Sequence, residues 1–158
     1  MSEEKQLREK LANHLEGGEA FMPVTEMLNK ISFEDINTRP GNLPYSLYEL
    51  FYHIVFTQKD IVKFTCSDDY TEPRWPDYYW PKEKICKYKE EWETLKAEYA
   101  TDRERLKYFL LDEENKLMQP VKNGKGEQTL LREIMLVIEH TAYHTGQMLV
   151  ILRLLNLH

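Results

Sequence analysis

An all-α fold, four long helices in one domain over residues 1–158, is what the sequence predicts, and three observations carry it. Apolar residues recur in alternating steps of three and four along most of the chain, as helices burying one face require. No segment alternates as a half-buried strand does. Glycine and proline, 6 and 7 in number, gather at a few breaks between the periodic stretches. With 42% hydrophobic and 30% charged residues the chain has enough apolar side chain for a sizeable core and enough charge for a solvated surface. Helices of this kind bury their stripes together as a four-helix bundle.

The first periodic stretch, from about Glu3 to Ile31, carries Leu7, Leu11, Leu15, Met22 and Leu28 on one side, with Gly17-Gly18 and Pro23 in its middle. One kinked helix or two short ones are expected there. After the turn-forming run from Asn37 to Pro44, Ser46 and Glu49 fit the S-x-x-E capping box, in which each side chain satisfies an orphan backbone N–H. A second helix therefore starts near Tyr45 and runs to about Thr65, turning Leu47, Leu50, Phe51, Ile54, Ile61 and Phe64 towards a core.

Prolines at 73, 76 and 81 forbid a continuous helix between Ser67 and Pro81. The aromatic run Trp75-Pro-Asp-Tyr-Tyr-Trp-Pro81 either closes the core by plain packing or overhangs one end of the bundle as the apolar wall of a pocket. Beyond it Ile85, Tyr88, Trp92, Leu95, Tyr99, Leu106 and Phe109 keep helical spacing, apart from a polar gap at Asp102, and predict a third helix to about Asp112. Residues 119–126 read as a turn or small hairpin. The last helix, from about Gln128 to Leu155, has a main stripe of Leu130, Val137, His140, Thr141, His144, Met148, Ile151 and Leu155. Leu131, Met135, Ile138, Ala142 and Leu149 form a second stripe roughly opposite, so this helix is buried on two sides. Either the second stripe faces a partner subunit, giving a homodimer in which Ala142 and Gly146 allow close approach, or it packs beneath the first helix or the Trp75–Trp80 loop.

With 21 basic against 27 acidic residues the formal charge is −6. That balance leaves no basic face for a phosphate backbone or an anionic membrane, so neither nucleic acid nor membrane is an expected partner. The N-terminal residues lack the basic and apolar regions of a secretory leader, and no apolar run approaches the ~20 residues that span a bilayer. Cys66 and Cys86 fit neither a zinc-ribbon spacing nor a disulfide framework. Reduced thiols in the cytoplasm are expected.

His140 and His144, four residues apart, put their rings on one helix face, ~6 Å apart along the axis. His53 lies mid-way along the second helix, on the side of Leu50, Thr57 and Phe64. Buried imidazoles need partners. Three of them converging without a thiolate suit Zn²⁺, Ni²⁺ or Fe²⁺ and leave coordination positions for water or substrate. Core histidines bonded to a backbone carbonyl, a threonine or a tyrosine would satisfy the same spacing, which leaves both readings open.

The segment Glu139-His-Thr-Ala-Tyr-His-Thr-Gly-Gln-Met-Leu-Val-Ile-Leu-Arg153 resembles the H-x-x-x-H-x-G-Q…R signature of the DinB-like (DinB/YfiT) superfamily. Tyr45-Ser-Leu-Tyr-Glu-Leu-Phe-Tyr-His53 resembles that family's S-x-x-E-L-x-x-H segment. Together with the helix order the two cover nearly the whole chain. The resemblance implies an up-down-down-up four-helix bundle, often dimeric, with His53, His140 and His144 as a divalent metal triad, zinc or nickel being the usual ion. Characterised relatives include thiol transferases that use bacillithiol, mycothiol or glutathione-like cofactors. A metal-dependent S-transferase using such a low-molecular-weight thiol, or a hydrolase, acting on a small-molecule substrate, is therefore expected. The alternative is a non-catalytic metal-binding or stress-associated dimeric bundle.

Gln147, three positions after His144, either orients a metal-bound water or the substrate, or bonds a neighbouring helix. Glu49 is expected as a cap and Arg153 as a surface or interface ion-pair residue. Cys66 has no activator, His14 and His158 read as solvent-facing, and no carboxylate is singled out as a general base.

Overall fold

The computed structural model describes residues 2–158, and every regular element among them is helical. Helices α1 (Glu3–Glu16), α2 (Val24–Asn29), α3 (Leu47–Cys66), α4 (Lys89–Leu111) and α5 (Leu130–Leu154) are joined by loops, one of which holds a 3₁₀ turn over Pro40–Asn42. Extended pairing is confined to one bridge, Pro120 with Thr129, which makes residues 119–129 the small hairpin-like turn the sequence suggests. No helix among the described residues is long and apolar enough to cross a membrane.

The first periodic stretch resolves into two helices because Gly17 and Gly18 take φ of +80° and +88°, conformations that stop α1 and that side chains disfavour. The buried face of α1 keeps the expected Leu15, with Leu11 partly buried against the core, but not Leu7. Leu7 stays 43% exposed, and Arg8, 1% exposed, takes the inner position with Ala12 and Leu15. Its guanidinium donates to the carbonyls of Leu110, Asp112 and Asn115 and to the Glu4 carboxylate. Steps of three and four through Arg8 fit the helix as well as steps through Leu7. The unsatisfied carbonyls at the end of α4 decide between them.

Helix α3 begins where its capping box places it. Ser46 Oγ accepts from the Glu49 N–H, and the Glu49 carboxylate accepts from the Ser46 N–H and from Arg39. Glu49 is thereby used as a cap, as expected. Helix α4 starts later than its periodicity suggests, and Ile85 and Tyr88 lie outside it, exposed. The Asn37 amide closes on both backbone groups of Cys86 at 2.9 and 3.0 Å and holds that segment as a turn. The polar gap at Asp102 is filled by its neighbour Arg103, which is buried and donates to Leu15 O, Tyr99 Oη and Thr141 Oγ1. Gln58 of α3 donates to Tyr99 O, so one polar network joins all four long helices.

Helices α1 and α3 each pack against both α4 and α5 and not against each other. One apolar cluster gathers around Leu50, Phe51, Ile54, Trp92, Met148 and Ile151, another around Leu15, Val62, Leu106, Leu130, Ile134 and Val137. The second stripe of α5 is largely covered by the chain itself. Leu131 and Ile138 pack on the second cluster, Leu149 packs on the first, and Ala142 faces a crevice shared with Leu15, Phe21 and Pro23. The apolar residues that α5 leaves exposed are instead Met135, Tyr143, Val150 and Leu154.

Replacing Arg8 by Met would keep the packed stem and orphan the carbonyls at the end of α4. We expect a loss of about 2–3 kcal/mol, read as a lower urea midpoint at unchanged slope.

Candidate metal centre

The capping box sets the phase of α3, and four residues after Glu49 that phase turns His53 inward, 5% exposed. The i, i+4 spacing on α5 presents His140, half-buried, and His144, 7% exposed, to the same point. The candidate ligand atoms of the three residues all lie within 4.8 Å of one another. Ring centroids are 4.5–4.9 Å apart, with the rings tilted or edge-on rather than stacked.

Hydrogen bonds on the outer side decide which nitrogens face inward. His53 Nδ1 lies 3.0 Å from the Tyr79 carbonyl oxygen, which only accepts, so Nδ1 carries the hydrogen. His144 Nδ1 donates in the same way to Gln147 Oε1 at 2.5 Å. Both rings therefore keep an Nε2 lone pair for the centre. His53 Nε2 and His140 Nε2 approach to 3.1 Å. Two ligands ~2.0–2.1 Å from a zinc ion at the tetrahedral angle lie roughly 3.3 Å apart, so the His53–His140 spacing and the all-imidazole donor set fit a divalent ion of that class.

Burial pushes His140 down to about 3, and the neighbouring His144 and His53 add to the shift. Burial also lowers His53, against the pull of the Tyr79 carbonyl, and lowers His144, against its bond to Gln147. All three rings are neutral at neutral pH, the state that binds a metal. Neither cysteine joins them, and burial pushes the Cys66 thiol up to about 11.

Of the two expected roles, the loop before α4 takes packing, with Trp80 against the first apolar cluster. Trp80 stacks on His53 at 4.3 Å with the planes 3° apart, and Tyr79 supplies the carbonyl behind the same ring, whereas Trp75 and Tyr78 are exposed. Sequence reasoning did not find the Tyr79 carbonyl, because a backbone acceptor has no residue signature. Gln147 bonds His144 on its own helix and not a neighbouring one. Arg153, His14 and His158 are exposed. Beside the loop a cleft of about 380 Å³ is lined by residues including Tyr52, Phe56, Lys59, Asp60 and Leu95, without the three histidines.

Each depressed histidine binds its proton more weakly folded than unfolded, so stability is present above the ordinary value of 6.5 and falls as pH drops towards the folded values. His140 contributes most. The unfolding free energy of metal-free His140→Gln, measured from pH 7 to pH 3, should fall less steeply than that of the parent.

A family model described as the DinB superfamily matches residues 19–148, a span that includes His53, His140, His144 and Gln147. No curated protein and no solved structure gives a match. Since the matched span covers more than four fifths of the sequence, the chain belongs to the DinB superfamily.

Proposed function

We propose that His53, His140 and His144 hold one divalent ion, zinc or nickel, with iron also suited to the donor set, and that the chain is an enzyme acting on a small molecule through it. The observation that carries this reading is the convergence of three neutral imidazoles, two of which have their outer Nδ1–H groups bonded to Tyr79 O and Gln147 Oε1, so that the Nε2 lone pairs of His53 and His144 face the point where His140 Nε2 comes within 3.1 Å of His53 Nε2. An ion so held acts as a Lewis acid that lowers the proton affinity of a thiol or a water molecule. With three protein ligands and no fourth among the described residues, the donor set suits an open, catalytic site better than a closed structural one.

The activity we assign is S-transfer from a low-molecular-weight thiol of the bacillithiol type, or hydrolysis of a small substrate. Gln147 holds the His144 ring with its oxygen, and its amide nitrogen is the donor with which it would orient water or substrate. The 380 Å³ cleft is of a size for the organic part of such a substrate. A second reading, a non-catalytic metal-binding or stress-associated bundle, draws on the indole of Trp80 lying flat on His53 and on the absence of the histidines from that cleft.

The same proposal takes the four long helices as an up-down-down-up four-helix bundle, cytoplasmic, with neither nucleic acid nor membrane as partner. It pairs two copies through the exposed Met135, Tyr143, Val150 and Leu154 of α5, where Gly146 has open space in place of a side chain. Light scattering should then give twice the chain mass for the parent and the single chain mass for Met135→Glu/Val150→Glu. An unchanged mass in that variant would move the interface elsewhere.

Elemental analysis of protein purified without a metal-affinity step should find about one transition metal per chain, lost in His53→Ala, His140→Ala and His144→Ala while the helical circular dichroism persists. Stoichiometric metal in His144→Ala would refute the triad.

A further inference from the structure

We infer that Asp60, which touches none of the three histidines, is a positioning residue for the centre: it clamps the loop that orients His53, an assignment that rests on the proposed metal centre. Asp60 lies on α3 two turns after His53, ~10.5 Å along the axis. Both of its oxygens are engaged, Oδ1 accepting from Tyr70 Oη at 2.9 Å and Oδ2 from Tyr79 Oη at 2.6 Å. Bonds of a hydroxyl to a carboxylate are shorter and stronger than those between neutral groups. With a tyrosine hydroxyl on each oxygen, Asp60 is engaged as an anchor.

The two tyrosines stand near the start and in the middle of the loop between α3 and α4, so one carboxylate pins two points of it to α3. Tyr79 is held twice. Its hydroxyl donates to Asp60, and its carbonyl accepts from His53 Nδ1. Phe56, one turn from His53, fills the space between, its ring edge-on to Tyr79 at 5.0 Å. Trp80, the next residue, is the one stacked on His53. Asp60 therefore acts at two turns' distance on both groups that fix the His53 ring. Within itself the loop offers little rigidity, with backbone bonds from Tyr78 to Arg74 and from Tyr79 to Pro76 and an exposed Arg74–Asp77 pair.

His144 provides an internal control. Its outer acceptor is Gln147, three residues on in the same helix, so that ring does not depend on the loop. Loosening the clamp releases the His53 N–H from its carbonyl and lets the hydrogen move to Nε2, where it blocks the lone pair aimed at the centre. His144 keeps its tautomer.

The test uses the full-length chain, metal-free and ¹⁵N-labelled, with Tyr79→Phe, Asp60→Asn and the double variant. Long-range ¹H–¹⁵N spectra should show His53 passing from the Nδ1–H tautomer to a mixture in each variant, with His144 unchanged. Titration with zinc or nickel alone should show affinity falling about 10-fold or more in both single variants, and no further in the double variant, because one clamp is being removed. Tyr70→Phe, which leaves the Tyr79 bond, should lose less. An unchanged His53 tautomer with affinities within about two-fold of the parent in both single variants would overturn the assignment. Tyr79→Phe removes one hydroxyl and keeps the ring, so it alone decides the question if Asp60→Asn does not fold. If the parent binds neither metal, the metal reading falls, while the His53 tautomer in Tyr79→Phe still decides whether Asp60 positions that ring.

Discussion

Burying three imidazoles side by side forces each to stay neutral, and neutrality makes every ring nitrogen either a donor in need of an acceptor or a lone pair in need of a partner. Much else around the centre follows from this constraint. His53 receives its acceptor from the backbone of a loop and His144 from a side chain one turn away. What remains on the inner side is the Nε2 lone pair of each of these two rings, with the candidate ligand atoms of all three residues within 4.8 Å of one another. Burial lowers the proton affinity of all three rings, that of His140 to about 3, and so favours the neutral state that binds a cation.

Two buried arginines solve a related problem for the helix ends. Carbonyls at a helix C-terminus have no partner within the helix, and burying them without one is costly. Arg8 reaches across from α1 to the end of α4, and Arg103 reaches from α4 to Leu15 O near the end of α1. Arg8 is met by three backbone carbonyls and the Glu4 carboxylate, and Arg103 by the Leu15 carbonyl and the hydroxyls of Tyr99 and Thr141. Through Thr141 the Arg103 network also reaches the residue that follows His140, so the polar part of the core and the histidine-bearing face of α5 share one helix turn.

The loop of residues 70–80 owes its order to aromatic and polar contacts rather than to a regular backbone ladder. Prolines deny it helix, and Tyr70, Tyr79 and Trp80 find partners on α3. That dependence makes it part of the candidate site: Tyr79, which anchors the loop to Asp60, also accepts from His53.

Local rules were legible in the sequence wherever the signal lay within one or two helical turns. The capping box at Ser46 and Glu49, the break at Gly17-Gly18, the exclusion of helix from the proline loop and the i, i+4 pair of histidines depend on neighbours along the chain, and their side chains announce them. The convergence of His53 with the α5 pair was legible only as a resemblance, since spacing alone allowed ordinary core histidines. Tertiary structure decided what had no local signature: Arg8 in place of Leu7 on the buried face, the late start of α4 once Asn37 claimed the Cys86 backbone, the covering of α5's second stripe by the chain's own N-terminal helices, and the Tyr79 carbonyl behind His53. The physical reason is common to all four. Each depends on which groups meet across the fold, above all on backbone groups that are alike in every residue, so the sequence names the donor while only the assembled fold supplies its acceptor.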